Sequence, residues 1–168
     1  MAIHRICKSM LLTGLLACLP LLASAERAEG AGHKLSPVAN AKWSSECGSC
    51  HLAYHPALLP ERSWRKLMDG LDRHFGSSAA VDPPTQREIT DFLVQYSADR
   101  SNPRLARSIP ANAAPLRISE TAWFKRQHHE VGANVWKRPK VGSASNCMAC
   151  HRGADQGDFS ERNVSIPR

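Results

Sequence analysis

Two short stretches decide how this chain folds: Cys47-Gly48-Ser49-Cys50-His51 and Cys147-Met148-Ala149-Cys150-His151. Each reads C-x-x-C-H, the attachment site of a c-type haem. The spacing has a physical reason. Positions i, i+3 and i+4 of a helix share one face, so both sulfurs and the imidazole can reach one porphyrin edge and its iron. The sulfurs form thioethers with the two vinyl groups, and the histidine becomes the fifth iron ligand. Cys47, Cys50, Cys147 and Cys150 therefore read as the anchors of two covalent haem c groups, with His51 and His151 as proximal ligands. Ser44 or Ser45 is expected to cap the first short helix, and Ser143 or Ser145 the second.

Other uses of paired cysteines fit less well. Two disulfides would need adjacent C-x-x-C pairs to act as staples, which they seldom do. A zinc site wants its pairs about 15–20 residues apart, whereas Cys50 and Cys147 are 97 apart. A thioredoxin-like pair needs a βαβ setting, and no convincing alternating strand is present. The chain also lacks a Gly-rich phosphate loop and a G-x-S-x-G, which excludes the commonest nucleotide-binding and serine-hydrolase readings.

The sequence has 168 residues and six cysteines, with 22 Lys+Arg against 15 Asp+Glu. Arg5 and Lys8 precede an uncharged run from Met10 to Leu22, and Ala23-Ser24-Ala25 offers small residues for a signal peptidase. The run is too short to span a bilayer, so 1–25 is expected to be a signal peptide cleaved after Ala25, with export to the periplasm. Cleavage removes Cys7 and Cys18 and leaves only the four motif cysteines. A membrane tether is expected only if Cys18 is lipidated or the signal is retained. Charge is uneven along the rest: residues 100–140 carry nine basic and two acidic side chains. An exported chain would not meet nucleic acid, so this stretch is either a solvated face or a docking patch for an acidic protein partner.

Six-coordinate iron needs a further ligand for each haem. Residues 26–42 form a polar, flexible leader. The best helix is expected from Glu61 to Phe75, where Trp64, Leu67, Met68, Leu71 and Phe75 follow a helical period and His74 falls on the same stripe. After Pro83-Pro84, Thr85 to Glu88 reads as a capping box before a helix burying Ile89, Phe92, Leu93 and Tyr96. Residues 99–118, with three prolines and four arginines, read as an extended linker or wrapping segment between two lobes. Ser119 is expected to cap a helix in which Phe124, His128 and Val131 share a face. His74 and His128 are thus the expected distal ligands. His129, beside His128, is the rival for the second haem, and Met68 the rival for the first. His55 sits on the proximal side of its own haem, and His33 in the leader. His74 follows His51 by 23 residues, and His128 precedes His151 by 23.

Two histidines per iron leave no vacancy for oxygen, peroxide or substrate, which suits electron transfer at low potential rather than catalysis. The alternative is a dihaem protein with one open iron that binds gas ligands or acts on peroxide. The fold expected is mainly α, with two small haem-binding lobes (43–98 and 119–168) and little or no β-sheet.

Beyond the motifs themselves, the chain resembles the small periplasmic dihaem cytochromes c of purple and related bacteria. The matching words are Glu46 to Tyr54, Leu58-Leu59-Pro60 with Arg62-Ser63-Trp64, and Leu71-Asp72 with His74-Phe75-Gly76. Later come Trp123-Phe124 with His128, Asn146-Cys147 with Ala149-Cys150-His151, Gly157-Asp158-Phe159 and Ile166-Pro167. The resemblance implies a first lobe like a shortened class I cytochrome c and two bis-histidine haems. It also implies electron donation to a small monohaem cytochrome c that binds oxygen. By the same resemblance His51 and His151 are proximal and His74 and His128 distal, with exchange of distal ligands between lobes left open.

Overall fold

The computed structural model describes residues 33–168. The expected signal segment 1–25 and the leader up to residue 32 lie outside the described residues. The chain is mainly helical. Among the described residues, seven short α-helices run in order: α1 (Ala41–Gly48), α2 (Glu61–Met68), α3 (Pro83–Gln95), α4 (Ala98–Ser101), α5 (Pro103–Arg107), α6 (Ala122–Gln127) and α7 (Ala133–Trp136), joined by turns and single-turn 3-10 helices. Among the described residues, sheet is confined to one two-residue ladder in which β1 (His33–Lys34) pairs antiparallel with β2 (Asp158–Phe159).

The scaffold is α1, α2 and α3. Trp43, Leu59, Trp64, Met68, Ile89, Phe92 and Leu93 bury one another, with Trp43 and Phe92 ring centroids 5.2 Å apart. Full burial of an apolar side chain of this size stabilises by about 1.5–3 kcal/mol. The indole of Trp64 donates to the Pro56 carbonyl at 2.7 Å, so its polar edge is satisfied inside the core.

Several element boundaries differ from the sequence reading. Helix α2 stops at Met68 rather than Phe75, because Asp69 and Gly70 turn out of it. The Met68 carbonyl freed there accepts Gln86 Nε2 at 2.7 Å from α3. Pro83 and Pro84 do not break the chain but start α3. A first turn needs no proline N–H, and Asp82 caps it by accepting Thr85 N–H at 3.0 Å. The expected capping box at Thr85 is therefore not the start. Likewise α6 is capped by Thr121, which accepts Phe124 N–H at 3.1 Å, and not by Ser119.

Residues 99–118 are not extended. They fold into α4, α5 and a turn that bury Ala98, Leu105 and Ile109 together. Arg62 on α2 holds this segment down by donating to the carbonyls of Ala113 (2.6 Å), Pro110 (2.9 Å) and Ile109 (3.2 Å). The end of the leader is also engaged: Leu35 N–H donates to Gly157 O at 2.9 Å. Gly157 has φ +71°, and a Cβ there would lie 3.3 Å from Leu35 Cβ, so backbone conformation and space both require glycine.

Candidate metal centres

Cys47 lies in the last turn of α1, which Asn40 caps by accepting Trp43 N–H at 2.8 Å. Ser44 and Ser45, expected as caps, sit inside the helix. Because α1 ends at Gly48, Cys50 and His51 follow in the turn beyond it. The second motif forms only a 3-10 turn, Cys147–Ala149. There Cys150 N–H and His151 N–H both donate to Cys147 O, at 3.2 and 2.8 Å. Neither Ser143 nor Ser145 caps it; Asn146 holds that position and makes no side-chain cap bond.

The four cysteines are unpaired. Burial pushes the thiols of Cys47 and Cys147 up to about 11, with Glu46 adding to the effect at Cys47. A redox-active C-x-x-C needs the opposite shift, so the thioredoxin-like alternative lacks its electrostatics. Among the described residues, no cluster of three or more His, Cys, Asp or Glu could hold a metal ion. A site built from protein ligands alone, such as zinc, is therefore absent from that region. What the chain offers instead is imidazoles in pairs.

The first pair is His51 and His74, with ring centroids 6.1 Å apart and planes inclined by 21°. The Nδ1–H of His51 donates to Leu52 O at 2.8 Å, which leaves Nε2 as the free lone pair. His74 reaches the pair through a tight turn in which Phe75 has φ +51° and Gly76 φ +98°. A left-handed non-glycine costs about 1–2 kcal/mol. The Phe75 ring is covered by the Arg117 guanidinium 3.9 Å from its centroid, and it meets His74 edge-on at 4.8 Å.

The second pair is His128 and His151, with centroids 6.0 Å apart and planes at 80°. His128 sits at the C-cap of α6, and its Nδ1–H donates to Phe124 O at 2.9 Å. Its ring stacks on Phe124 at 4.0 Å and lies 5.9 Å from Trp136. On the other side, His151 meets Phe159 edge-on at 5.5 Å. The Nδ1 of His151 is buried without a hydrogen-bond partner.

Burial holds His74, His128 and His151 below the ordinary histidine value, and in His74 and His151 the facing imidazole adds to it. Neutral imidazole is the form that ligates a metal. The gap fits as well. Two imidazoles on opposite sides of one iron must hold their centroids about 6.2 Å apart, given metal–nitrogen bonds of ~2.0 Å. The observed separations, 6.1 and 6.0 Å, come close to that span. Each gap brings together two imidazoles, fewer than the four protein ligands of a closed structural zinc site.

Of the rivals, His129 is exposed, with its Nδ1–H donating to Arg126 O at 2.9 Å. Met68 is 2% exposed and belongs to the core. His55 accepts Ala57 N–H at Nδ1 (3.1 Å) and donates from Nε2 to Ser36 O (2.9 Å), so both nitrogens are occupied. The pairs do not cross between the two halves of the chain. Tyr54, Trp136 and Phe159, which line the pairs, were not singled out as site residues. They come from a loop, the end of α7 and β2, and share no periodic pattern.

Residues 43–159 match the family described as dihaem cytochrome c. A solved dihaem cytochrome c from Rhodobacter sphaeroides is similar at 43% identity and TM-score 0.68, covering 73% of this chain and 98% of that one. Another dihaem c-type cytochrome, from Shewanella baltica, is similar at 40% identity and TM-score 0.65, covering 76% of this chain and 93% of that one. No curated protein sequence matches.

Proposed function

The chain belongs to the dihaem cytochrome c family, and we propose that it is a periplasmic carrier passing electrons at low potential through two bis-histidine haems. Membership of the family brings two covalently bound haem c groups and electron transfer. When bound, each haem supplies an iron that accepts and releases one electron. Cys47 and Cys50 anchor the first, and Cys147 and Cys150 the second. His51 and His74 would ligate the first iron, and His151 and His128 the second.

The observation that carries this reading is the pair of imidazole gaps, 6.1 and 6.0 Å, each on one C-x-x-C-H histidine. Two nitrogens on every iron leave no position for a substrate, so the protein is a carrier and not an enzyme. Imidazole stabilises the ferric state more than a thioether does, hence the low potential. Residues 43–98 and 119–168 form the two haem lobes. Among the described residues, no helix is long and apolar enough to cross a membrane. Export through a signal cleaved after Ala25 delivers the chain to the compartment where its haems are attached. Its partners are other redox proteins, chief among them a small monohaem cytochrome c. The exposed Lys125, Arg126, Lys137 and Lys140 near the second pair offer that partner a basic docking face.

The test is the spectrum of dithionite-reduced holoprotein before and after carbon monoxide. Saturated irons give no change. A Soret shift on one haem would show an open iron and favour the gas-binding alternative.

A further inference from the structure

Tyr54 lies three residues after His51 and 91 positions before Ser145, yet it touches the sites of both. Its ring centroid is 5.0 Å from that of His51. Its hydroxyl donates to Ser145 O at 2.7 Å. The same carbonyl receives Cys147 N–H at 3.0 Å, and Cys147 Sγ lies 3.7 Å from it. One oxygen thus holds both the phenol beside the first proximal imidazole and the backbone N–H of the cysteine that anchors the second haem. The loop presenting that oxygen is itself fixed. Asn146 Nδ2 donates to Val141 O at 3.0 Å, and the Ser143 and Ser145 hydroxyls bond at 2.8 Å. On the other side, the Tyr54 ring packs against the core around Trp43 and Trp64. Tyr54 therefore connects the firmest part of the molecule to the second attachment segment.

We propose that Tyr54 is the positioning residue between the two haems: it docks the Cys147 segment against His51 and so sets the inter-haem distance and the rate of electron exchange. The proposal rests on the reading of His51 and Cys147 as haem-holding residues. The step it governs balances simply. One electron leaves the ferrous iron of one haem and reduces the ferric iron of the other, with no bond made or broken and no proton moved. Tyr54 itself is not oxidised. A phenol hydrogen-bonded to a carbonyl has no base to take its proton, and its role here is to hold the segments in place.

The experiment compares the holoprotein with Tyr54→Phe, which removes only the hydroxyl, and with Tyr54→Leu, which also removes the ring. Paramagnetically shifted haem-methyl resonances identify each haem separately, and their exchange broadening in a half-reduced sample reports the transfer rate. Both variants are expected to keep two haems per chain. Exchange in Tyr54→Phe should slow about fivefold, equivalent to one net hydrogen bond of ~1 kcal/mol lost from the docked arrangement. Tyr54→Leu should be slower again. Equal rates in all three proteins would overturn the proposal, even if the variants melt at lower temperature, because Tyr54 would then act on stability alone. If Tyr54→Leu loses haem, the Phe variant decides by itself. Carbon monoxide uptake by the unreplaced protein, scored on the same sample, would overturn the ligand reading beneath the proposal instead.

Discussion

His51 and His74 face each other beside a helical core, whereas His128 and His151 face each other inside a ring of aromatic side chains with little behind it. Around the first pair, α1, α2 and α3 bury seven mutually packed side chains. From residue 119 onward the buried apolar residues are Phe124, Val141 and Ala154. The two gaps are nearly equal, yet they are held differently. In the first pair, His51 donates its Nδ1–H to a backbone carbonyl; in the second, His128 does. The difference teaches that one site is a slot at the edge of a protein that has its own interior. The other has only a small buried apolar set of its own.

The largest expected effect breaks that contrast by removing one haem at a time. In Cys147→Ala/Cys150→Ala, residues 119–168 should lose protection from proteases while α2 and α3 keep theirs. In Cys47→Ala/Cys50→Ala, the core around Trp64 and Phe92 should stay partly protected, because it buries apolar surface without the cofactor. Limited proteolysis read by mass spectrometry distinguishes the two. A second half that stays protected without its haem would refute the comparison.

Next in size come the proposed distal ligands, His74 and His128. His74→Ala and His128→Ala should each open one iron, so that carbon monoxide shifts the Soret band of one haem and leaves the other unchanged. If either variant stayed closed to carbon monoxide, the replaced histidine would not be the ligand, and the neighbour to examine would be His129 for the second site.

What the sequence made legible followed from spacing that is fixed by chemistry. The C-x-x-C-H words declare themselves because two thioethers and one imidazole must meet one macrocycle. Helical apolar periodicity marked Trp64, Met68, Ile89, Phe92 and Leu93 as core, and the spacing of four between Phe124 and His128 reappears as a ring stack at 4.0 Å. Boundaries were less legible. Gly70 ends α2 two residues after Met68, yet Leu71 and Phe75 continue the apolar period past it. The fold also recruits proline as a first-turn residue, at Pro83 and at Pro103, where composition suggested breaks. The route of His74 to His51 through a left-handed Phe75 was not legible at all, since nothing local asks phenylalanine to adopt φ +51°. Nor was the Tyr54 contact with Ser145, which depends on how two distant turns come together.

The smallest effect concerns how the leader is fastened to the first half. His55 is buried, and both its nitrogens are hydrogen-bonded in the neutral ring. His55→Ala should cost about 1–3 kcal/mol, the penalty for leaving Ala57 N–H and Ser36 O without their partner. Burial lowers the His55 pKa. Its stabilisation is therefore complete above the unfolded histidine value and is lost as pH falls through the folded one. Thermal melts should show the gap between wild type and variant closing on acidification. A gap independent of pH would remove His55 from the account.

The central claim is that each iron has two imidazoles, near-parallel at one site and crossed at the other. Electron paramagnetic resonance of the fully oxidised protein tests it most directly, because the angle between axial ring planes sets how far the iron orbitals split. The account predicts two low-spin ferric signals, a rhombic one from His51/His74 and a strongly anisotropic one from His128/His151. A high-spin signal from either iron would contradict it, as would two identical low-spin spectra.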